Sequence, residues 1–261
     1  KENLLIKNIE GTFDSPVQWE KDFTGDEEYI CPGVAGRYFK NVTNKESPEW
    51  LKQRLKAIGL RPISALVDIT NYITYDLGRP LHVYDADKID GNLKMRYAKE
   101  NESCLTLDEE KRDCAKDMIV ISDDKKLHGI GGIMGGLESG CSIDTKNVFL
   151  ETALFDAISV TKTGRKLKLQ SDARFRFERG IDPSSIEWGV QAATKMILDL
   201  CGGEASKPVQ TSILKHPQNT FDFNTDKIKS LGGVDVPKDK QKSILESLGF
   251  TVSENVNIFK I

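Results

Sequence analysis

The feature that most constrains this chain is a change in the spacing of its apolar residues. Between residues 47 and 77 they recur at i, i+3 and i+4, the spacing of an amphipathic helix. From residue 93 to residue 153 the spacing becomes two, in short pieces between acidic or glycine turns, which is typical of β-strands. Helical spacing returns between residues 182 and 201. This order predicts an α+β fold with a β-rich central sheet or barrel-like core and flanking helices.

The first predicted helix has clear end signals. Ser47-Pro48-Glu49 supplies an N-cap, a proline at the first helical position and an acid in the first turn, and Gly59 ends the helix. Three further helices are predicted, over residues 63–77, 182–201 and 237–248.

Composition along the chain predicts four segments: an irregular lead-in over residues 1–35, a main domain over 36–206, a linker over 207–220, and the truncated start of a small helical module over 221–261. The chain opens without Met and stops inside an apparent strand, so we expect it to be a piece of a longer protein.

Overall composition excludes several classes of protein. The 261 residues carry 37 Lys and Arg against 40 Asp and Glu, a net charge of −3, which excludes a polycation held to nucleic acid by bulk charge. With 38% hydrophobic and 30% charged residues, the chain is neither disordered, collagenous nor membrane-spanning. Its five cysteines are widely spaced and give no zinc-knuckle pattern, so we expect reduced thiols, no metal site and a cytoplasmic setting.

Two residues are candidates for chemistry. His82 follows a break at Gly78 and Pro80, where a side chain is easily turned towards a cleft, although a lone histidine also serves as a structural or surface residue. Glu151 ends an apolar run, where a carboxylate needs a partner or a function, unless it is a strand-end residue facing water.

Two longer stretches also carry signals. The glycine-rich run 129–136 brings backbone amides close to a ligand, or else forms a bulged strand or a tight chain crossing; it does not match a phosphate loop. The segment 162–179 holds seven basic residues and two acids, a net +5, with Phe175 and Phe177 interleaved. This pattern suits a phosphate backbone and unpaired bases, although a solvated face or an internal ion-pair network gives the same pattern.

Several ordered blocks together resemble the bacterial phenylalanyl-tRNA synthetase β subunits. The resemblance covers about residues 36–203, the editing module of that family, and residues 227–250 resemble the start of the next module. It is carried by the blocks Gly59-Leu60-Arg61-Pro62-Ile63, Ala65-Leu66-Val67-Asp68-Ile69-Thr70-Asn71-Tyr72, Gly78-Arg79-Pro80-Leu81-His82, Gly132-Ile133-Met134-Gly135-Gly136 and Ser171-Asp172-Ala173-Arg174-Phe175-Arg176-Phe177-Glu178-Arg179-Gly180.

The resemblance implies an editing activity: hydrolysis of tRNA(Phe) mischarged with tyrosine, while a separate α chain of a heterotetramer carries out aminoacylation. It implies tRNA(Phe) as a partner, no membrane, and no cofactor in this segment, with ATP and Mg²⁺ needed only at the synthetic site. The alternative is a non-catalytic structural module that positions tRNA, which the basic, aromatic segment favours.

The resemblance also implies roles for individual residues. His82, Asn71 and Thr70 match catalytic-site positions, and Glu151 matches the carboxylate that binds the phenolic hydroxyl. Further substrate-pocket positions are Gly131, Gly132, Ser171 and Ala173. Independently of the resemblance, the basic segment 162–179 supplies the candidate RNA contacts Arg165, Lys166, Lys168 and Arg174. The sequence departs from the commonest family pattern at Gly131, where Ala is frequent, at Ser171, where Thr is frequent, and at Arg174-Phe175, where Ser-His is common. His82 is thus the main imidazole candidate, and we expect it to orient a water molecule together with Asn71.

Overall fold

The computed structural model describes residues 8–23, 25–211, 219–255 and 258–261. The chain divides into two compact units, with the division after residue 214.

Helices and strands alternate irregularly in the first unit. Its helices are α1 (Glu49–Ala57), α2 (Ala65–Asp76), α3 (Ala157–Lys166), α4 (Asp172–Phe177) and α5 (Ser185–Cys201). Its strands are β1 (Trp19–Lys21), β2 (Val34–Lys40), β3 (His82–Asp85), β4 (Leu93–Tyr97), β5 (Ser103–Leu105), β6 (Lys111–Asp113), β7 (Ile119–Ser122), β8 (Leu127–Ile130), β9 (Met134–Gly135), β10 (Val148–Ala153), β11 (Glu204–Ala205) and β12 (Val209–Gln210). Short 3-10 turns lie at Gly25–Ile30 and Ala86–Lys88.

Two sheets organise these strands. The first has the order β11-β2-β10-β3, with β12 also paired to β2, and the second has the order β1-β4-β7-β8-β9. β5 and β6 form a separate two-stranded ribbon. The α+β class is confirmed, and the described strands form open sheets rather than a closed barrel.

The first sheet is buried on both faces, and its strand β10 shows the reason. Val148 and Leu150 belong to a cluster of apolar side chains that includes α1, α2 and α5, whereas Phe149 belongs to a second cluster built on the other sheet. Successive side chains of a strand point to opposite faces. The unit therefore has three layers, helices on the first sheet and the first sheet on the second, and Glu151 points into the interface between the sheets.

Helix α1 forms where the sequence predicts it, with a different start. Pro48 occupies the N-cap position and Glu49 begins the helix. The Ser47 hydroxyl, which we predicted to cap the helix, instead donates to the Asp68 carboxylate at 2.6 Å. The serine therefore ties the start of α1 to the buried Asp68 of α2.

The residues predicted to form an irregular lead-in contribute to the core. β1 pairs in parallel with β4, and Trp19, Phe23 and Ile30 are buried in the apolar cluster between the sheets. A boundary at residue 36 therefore does not separate residues 17–35 from the main domain. Their short apolar stretches have no sustained period, because each contributes only one or two side chains to a core made by distant strands.

The second unit contains β13 (Asp222–Asn224), α6 (Lys227–Gly232), α7 (Lys238–Ser247), β14 (Ser253–Asn255) and β15 (Ile258–Lys260). The strands form an antiparallel sheet in the order β13-β15-β14, with Phe259 buried. We predicted a small helical module; the helix over residues 237–248 is present, and the sheet is an addition that three-residue strands do not reveal by pattern. Within the described part of the chain, no helix is long and apolar enough to cross a membrane.

Candidate active site

A cleft opens between the two sheets of the first unit. Its cavity volume is about 80 Å³, and the cleft is open to solvent at its mouth. It is lined by Pro80, Leu81, His82, Tyr84, Ile121, Gly129, Ile130, Gly132, Ile133, Met134, Gly135, Glu151, Phe155, Ala173 and Phe177. The walls are thus mainly apolar, with three groups that can hydrogen-bond or titrate: His82, Tyr84 and Glu151.

These three side chains are brought together by strand register. In the antiparallel pairing of β3 and β10, Glu151 lies opposite His82, and Phe149 lies opposite Tyr84. Because alternate residues share a face, all three side chains project from the first sheet towards the second. The Tyr84 hydroxyl donates a hydrogen bond to Glu151 Oε2, the diagonal neighbour across the strand pair.

Glu151 is a buried carboxyl with few compensating contacts. Burial raises its pKa to about 7, although the hydrogen bond from Tyr84 and the positive charge of Arg79 act in the opposite direction. The strand-end position facing water, which the sequence left open, is excluded because the side chain is 7% exposed. Near neutral pH this carboxyl therefore exchanges easily between its neutral and ionised forms.

Arg79 is a buried cation whose positive charge lowers the pKa of Glu151. Its side chain is fully buried, and Nη2 donates to the Ala153 carbonyl at 2.6 Å. Nε and Nη1 are buried without a hydrogen-bond partner among the described residues. The guanidinium thus contributes positive potential next to β10 without forming a direct ion pair with the Glu151 carboxylate.

The His82 imidazole is held against a glycine. A Cβ at position 135 would lie 2.2 Å from His82 Cε1, far inside van der Waals contact, so Gly135 makes room for the ring. Burial, together with the nearby His128, lowers the pKa of His82 to about 4. Its Nε2 is buried without a hydrogen-bond partner among the described residues. At neutral pH the ring is therefore an uncharged hydrogen-bonding group on the cleft wall.

The glycine-rich run forms the hairpin of β8 and β9. Gly129 pairs with Gly135, and the connection contains Gly132 at φ +69°. A methyl group at Gly132 would meet Val160 Cγ2 at 2.9 Å, and one at Gly131 would meet Ile119 Cγ2 at 2.7 Å. Of the two glycines assigned to the substrate pocket, Gly132 lines the cleft, whereas Gly131 does not and packs against Ile119. The run is therefore a tight hairpin that also forms one wall of the cleft.

Helix α4 carries two of the predicted substrate-pocket residues. Ala173 lines the cleft. Ser171 does not, but its hydroxyl donates to the Ile133 carbonyl at 2.6 Å and accepts from the Arg174 amide at 3.0 Å as the N-cap of α4. Ser171 therefore ties α4 to the glycine hairpin and sets the position of Ala173.

Thr70 and Asn71 lie on α2, on the other side of the first sheet from the strand residues that line the cleft. The Thr70 hydroxyl is buried and donates to the Val67 carbonyl at 2.7 Å, a bond within its own helix. Neither residue is among those that line the cleft. Of the residues that the resemblance assigns to the site, His82, Gly132, Glu151 and Ala173 line the cleft, whereas Thr70 and Asn71 do not.

The candidate RNA contacts divide into exposed and buried residues. Arg165, Lys166 and Lys168 are exposed on α3 and just after it. Arg174 is buried: its guanidinium donates to the Leu169 carbonyl and to Glu178. It cannot reach a phosphate in this arrangement, so part of the basic segment is the internal ion-pair network that the sequence left as an alternative.

The second histidine with a described environment, His128, lies deeper in the fold. His128 Nε2 is 2.6 Å from Asp123 Oδ2, and both side chains are fully buried. The His128 ring also packs edge-on against Tyr84, at 6.1 Å between ring centroids. Among the described residues, no cluster of His, Cys, Asp or Glu could hold a metal ion.

Burial raises the pKa of all five free cysteine thiols, so they are poor nucleophiles.

The sequence analysis did not identify the cleft residues Tyr84, Phe155 and Phe177. Tyr84 carried a usable signal, because it lies two residues after His82 and must share its face in a strand. Phe155 and Phe177, by contrast, are 5.1 Å apart between ring centroids although 22 positions separate them in the chain. Only the packing of α4 against the start of α3 brings them to the cleft.

The chain is similar to phenylalanine–tRNA ligase beta subunits. It is 46% identical over 248 residues to that of Ruegeria pomeroyi, covering 95% of this chain and 31% of the relative. It is 44% identical over 254 residues to that of Paramagnetospirillum magneticum, covering 97% and 32%. The chain therefore spans about a third of the length of these relatives.

One similar solved structure is an N-terminal fragment of the phenylalanyl-tRNA synthetase beta subunit from Pyrococcus horikoshii. It matches with a TM-score of 0.51 and 13% identity, covering 97% of this chain and 70% of that one, and this likeness shows the fold alone. Residues 30–202, more than half of the chain, match the family model for the B3/4 domain. The similarity to the beta subunits confirms the resemblance indicated by the sequence blocks, and the chain belongs to the B3/4 domain family.

Proposed function

We propose that this domain hydrolyses the ester that joins tyrosine to tRNA(Phe), as an editing domain of a phenylalanine–tRNA ligase. The observation that carries the proposal is the hydrogen bond between a phenol, that of Tyr84, and the buried Glu151 carboxyl inside the cleft. A carboxylate that accepts a phenol of the chain itself is chemically suited to accept the phenol of a tyrosyl group.

The chemistry of selection follows from burial. Tyrosine differs from phenylalanine by one hydroxyl, and a pocket shaped for the smaller residue rejects that hydroxyl poorly. A second site that requires the hydroxyl discriminates well, because a phenylalanyl group leaves the buried acceptor without its partner, at a cost of about 1–3 kcal/mol. Glu151 has the required burial, and the apolar wall of Phe155 and Phe177 suits the aromatic ring.

The hydrolytic step needs a water molecule held near the ester carbonyl. His82 is the cleft residue suited to this, because its neutral imidazole accepts a hydrogen bond from water at physiological pH. With a pKa of about 4 it is a weak base, and a general base works best with a pKa near the operating pH. We therefore assign His82 the role of orienting the water.

Outside the cleft, the exposed basic residues Arg165, Lys166 and Lys168 support tRNA as the partner. In the intact enzyme we expect tRNA(Phe) and an α chain as partners in a heterotetramer, and a cytoplasmic setting. We expect this domain to need no cofactor, with ATP and Mg²⁺ used only at the synthetic site.

The test compares deacylation of Tyr-tRNA(Phe) and Phe-tRNA(Phe) by the intact enzyme carrying wild-type, Glu151→Gln or His82→Ala. We expect Glu151→Gln to lower the preference for the tyrosyl ester by about tenfold or more, from the loss of a charged hydrogen bond, and His82→Ala to slow hydrolysis of that ester. Glu138→Gln is the matched control, because Glu138 is exposed and lies outside the cleft. Wild-type rates in both cleft variants would show the assignment to be wrong.

A second candidate function is a non-catalytic module that positions tRNA, favoured by the same exposed basic residues. In that case the double substitution Arg165→Ala and Lys168→Ala weakens tRNA binding and reduces its dependence on salt by about two counterions. The cleft variants would then leave deacylation unchanged, which separates the two functions.

A further inference from the structure

Tyr84 is a cleft residue to which the proposed editing reaction assigns no role. Its side chain is 1% exposed, and its ring packs edge-on against His82, at 4.4 Å between ring centroids. His128 packs against the ring from the second sheet. The phenol is thus fixed between two imidazoles, and its hydroxyl has a single orientation, towards Glu151 Oε2.

The same contacts fix the Glu151 carboxyl. Tyr84 is the hydrogen-bond donor that the described residues provide to Glu151, and it engages one oxygen only. An ionised carboxylate has about four acceptor sites on its two oxygens. The opposite position on β2 is Gly36, which has no side chain, and the Trp19 indole fills the space beside it, with Nε1 2.5 Å from where a Cβ at position 36 would lie. Glu151 lines the cleft, so the acceptor capacity that Tyr84 leaves unused lies at the cleft wall.

We propose that Tyr84 is a positioning residue that determines specificity: its hydroxyl holds one oxygen of Glu151 so that the other is presented to the phenol of a tyrosyl ester. This rests on the proposed editing function. The carboxylate then binds two phenols, one supplied by the protein and one by the substrate. A phenylalanyl ester leaves the second oxygen without a donor in a buried site.

A change at Tyr84 also alters the charge of Glu151. The Tyr84 hydrogen bond lowers the pKa of the carboxyl against the effect of burial. The other titratable or charged groups around this pair are Arg79 before β3, His82 on β3, His128 on β8, Cys31 before β2 and Cys104 on β5. Removing the hydroxyl leaves these groups in place, so it isolates the contribution of the phenol.

The test is the pH profile of Tyr-tRNA(Phe) deacylation by the intact enzyme with Tyr84→Phe, corrected for spontaneous hydrolysis. Because a larger share of Glu151 is then neutral, we expect the midpoint of the profile to rise by about one pH unit. KM near pH 7 should rise about fivefold, since the ionised fraction falls from about one half to about one tenth. At higher pH the maximal rate recovers, since Tyr84 touches no reacting atom. Tyr97→Phe is the matched control, because Tyr97 lies on β4 and outside the cleft.

A second readout follows the carboxyl itself. In protein labelled with ¹³C at glutamate carboxyls, the Glu151 resonance is assigned by its loss in Glu151→Gln, and Tyr84→Phe should raise its titration midpoint. An unchanged midpoint and pH profile in Tyr84→Phe, with normal wild-type preference for the tyrosyl ester, refutes the role of Tyr84 alone. A wild-type enzyme without that preference refutes the proposed function, and the role of Tyr84 in specificity with it.

Discussion

Replacing Glu151 with glutamine should change how the stability of the protein depends on pH. The pKa of Glu151 rises from 4.5 to about 7 on folding, so the folded protein holds this proton more tightly than the unfolded chain does. The stabilisation is fully present below about pH 4.5 and is lost as pH rises through about 7. The difference between the two pKa values corresponds to about 3 kcal/mol in the free energy of unfolding, at about 1.4 kcal/mol for each pH unit.

His82 acts in the opposite direction over nearly the same interval. Its pKa falls from 6.5 to about 4 on folding. Its contribution is therefore fully present above about pH 6.5, and it is lost as pH falls through about 4. In the wild-type protein the two effects nearly cancel. In Glu151→Gln the effect of His82 remains alone, so stability should rise by about 3 kcal/mol between about pH 4 and pH 6.5.

Urea unfolding followed by tryptophan fluorescence measures this directly. The three tryptophans, Trp19, Trp50 and Trp188, all lie in the first unit, so the signal reports the unit that contains the cleft. Relative to wild type, Glu151→Gln should gain about 3 kcal/mol between about pH 4.5 and pH 8. A difference from wild type that changes by less than about 1 kcal/mol over this interval would refute the reasoning.

Glu102 supplies a control, because folding lowers its pKa whereas folding raises that of Glu151. Its hydrogen bonds with Arg96 lower the pKa of the carboxyl, so its stabilisation is present above its ordinary pKa and is lost only as pH falls further. The difference between Glu102→Gln and wild type should therefore stay constant over the interval in which Glu151→Gln changes.

Three further substitutions test the geometry of the cleft and of α4. Gly135→Ala places a methyl group 2.2 Å from His82 Cε1; we expect a loss of about 1–3 kcal/mol in urea unfolding and slower hydrolysis of the tyrosyl ester, and a wild-type rate would contradict the position of the ring. Ser171→Ala removes the N-cap of α4 and should cost about 1 kcal/mol, with less discrimination between the two esters. Arg174→Ala removes a buried guanidinium that donates to Glu178 and to the Leu169 carbonyl, and it leaves that carbonyl without this donor; it should cost about 2 kcal/mol, against less than about 0.5 kcal/mol for the exposed Arg165→Ala, and equal losses would contradict the burial of Arg174.

The helices that were predicted correctly are those with strong local signals. Helix α2 and helix α5 have long apolar stripes and marked ends, and both pack on the first sheet where the pattern requires it. Helix α4 was not predicted because it has only six residues, and its mixture of arginines and phenylalanines is also typical of a charged surface segment. Its arginines are in fact neutralised by Glu178 and Asp172 on the same short helix and just after it.

The site was predicted in part, for a similar reason. Glu151 was identified because a carboxylate in an apolar run is costly, a fact that is visible in the sequence itself. Thr70 and Asn71 were assigned by resemblance alone, and a helix that lies behind the first sheet does not bring them to the cleft lining.

The sequence by itself determined the α+β class, the main helices and the placement of Glu151 on a strand, whereas it placed His82 only after the break that ends a helix. These follow from local spacing, which needs no knowledge of what lies opposite. Only the tertiary structure decided that Glu151 lies opposite His82 and receives the hydroxyl of Tyr84. Strand register and sheet stacking pair residues from distant parts of the chain, and the carboxyl's pKa depends on those neighbours and on its burial. The chemistry of the cleft is therefore a property of the folded arrangement.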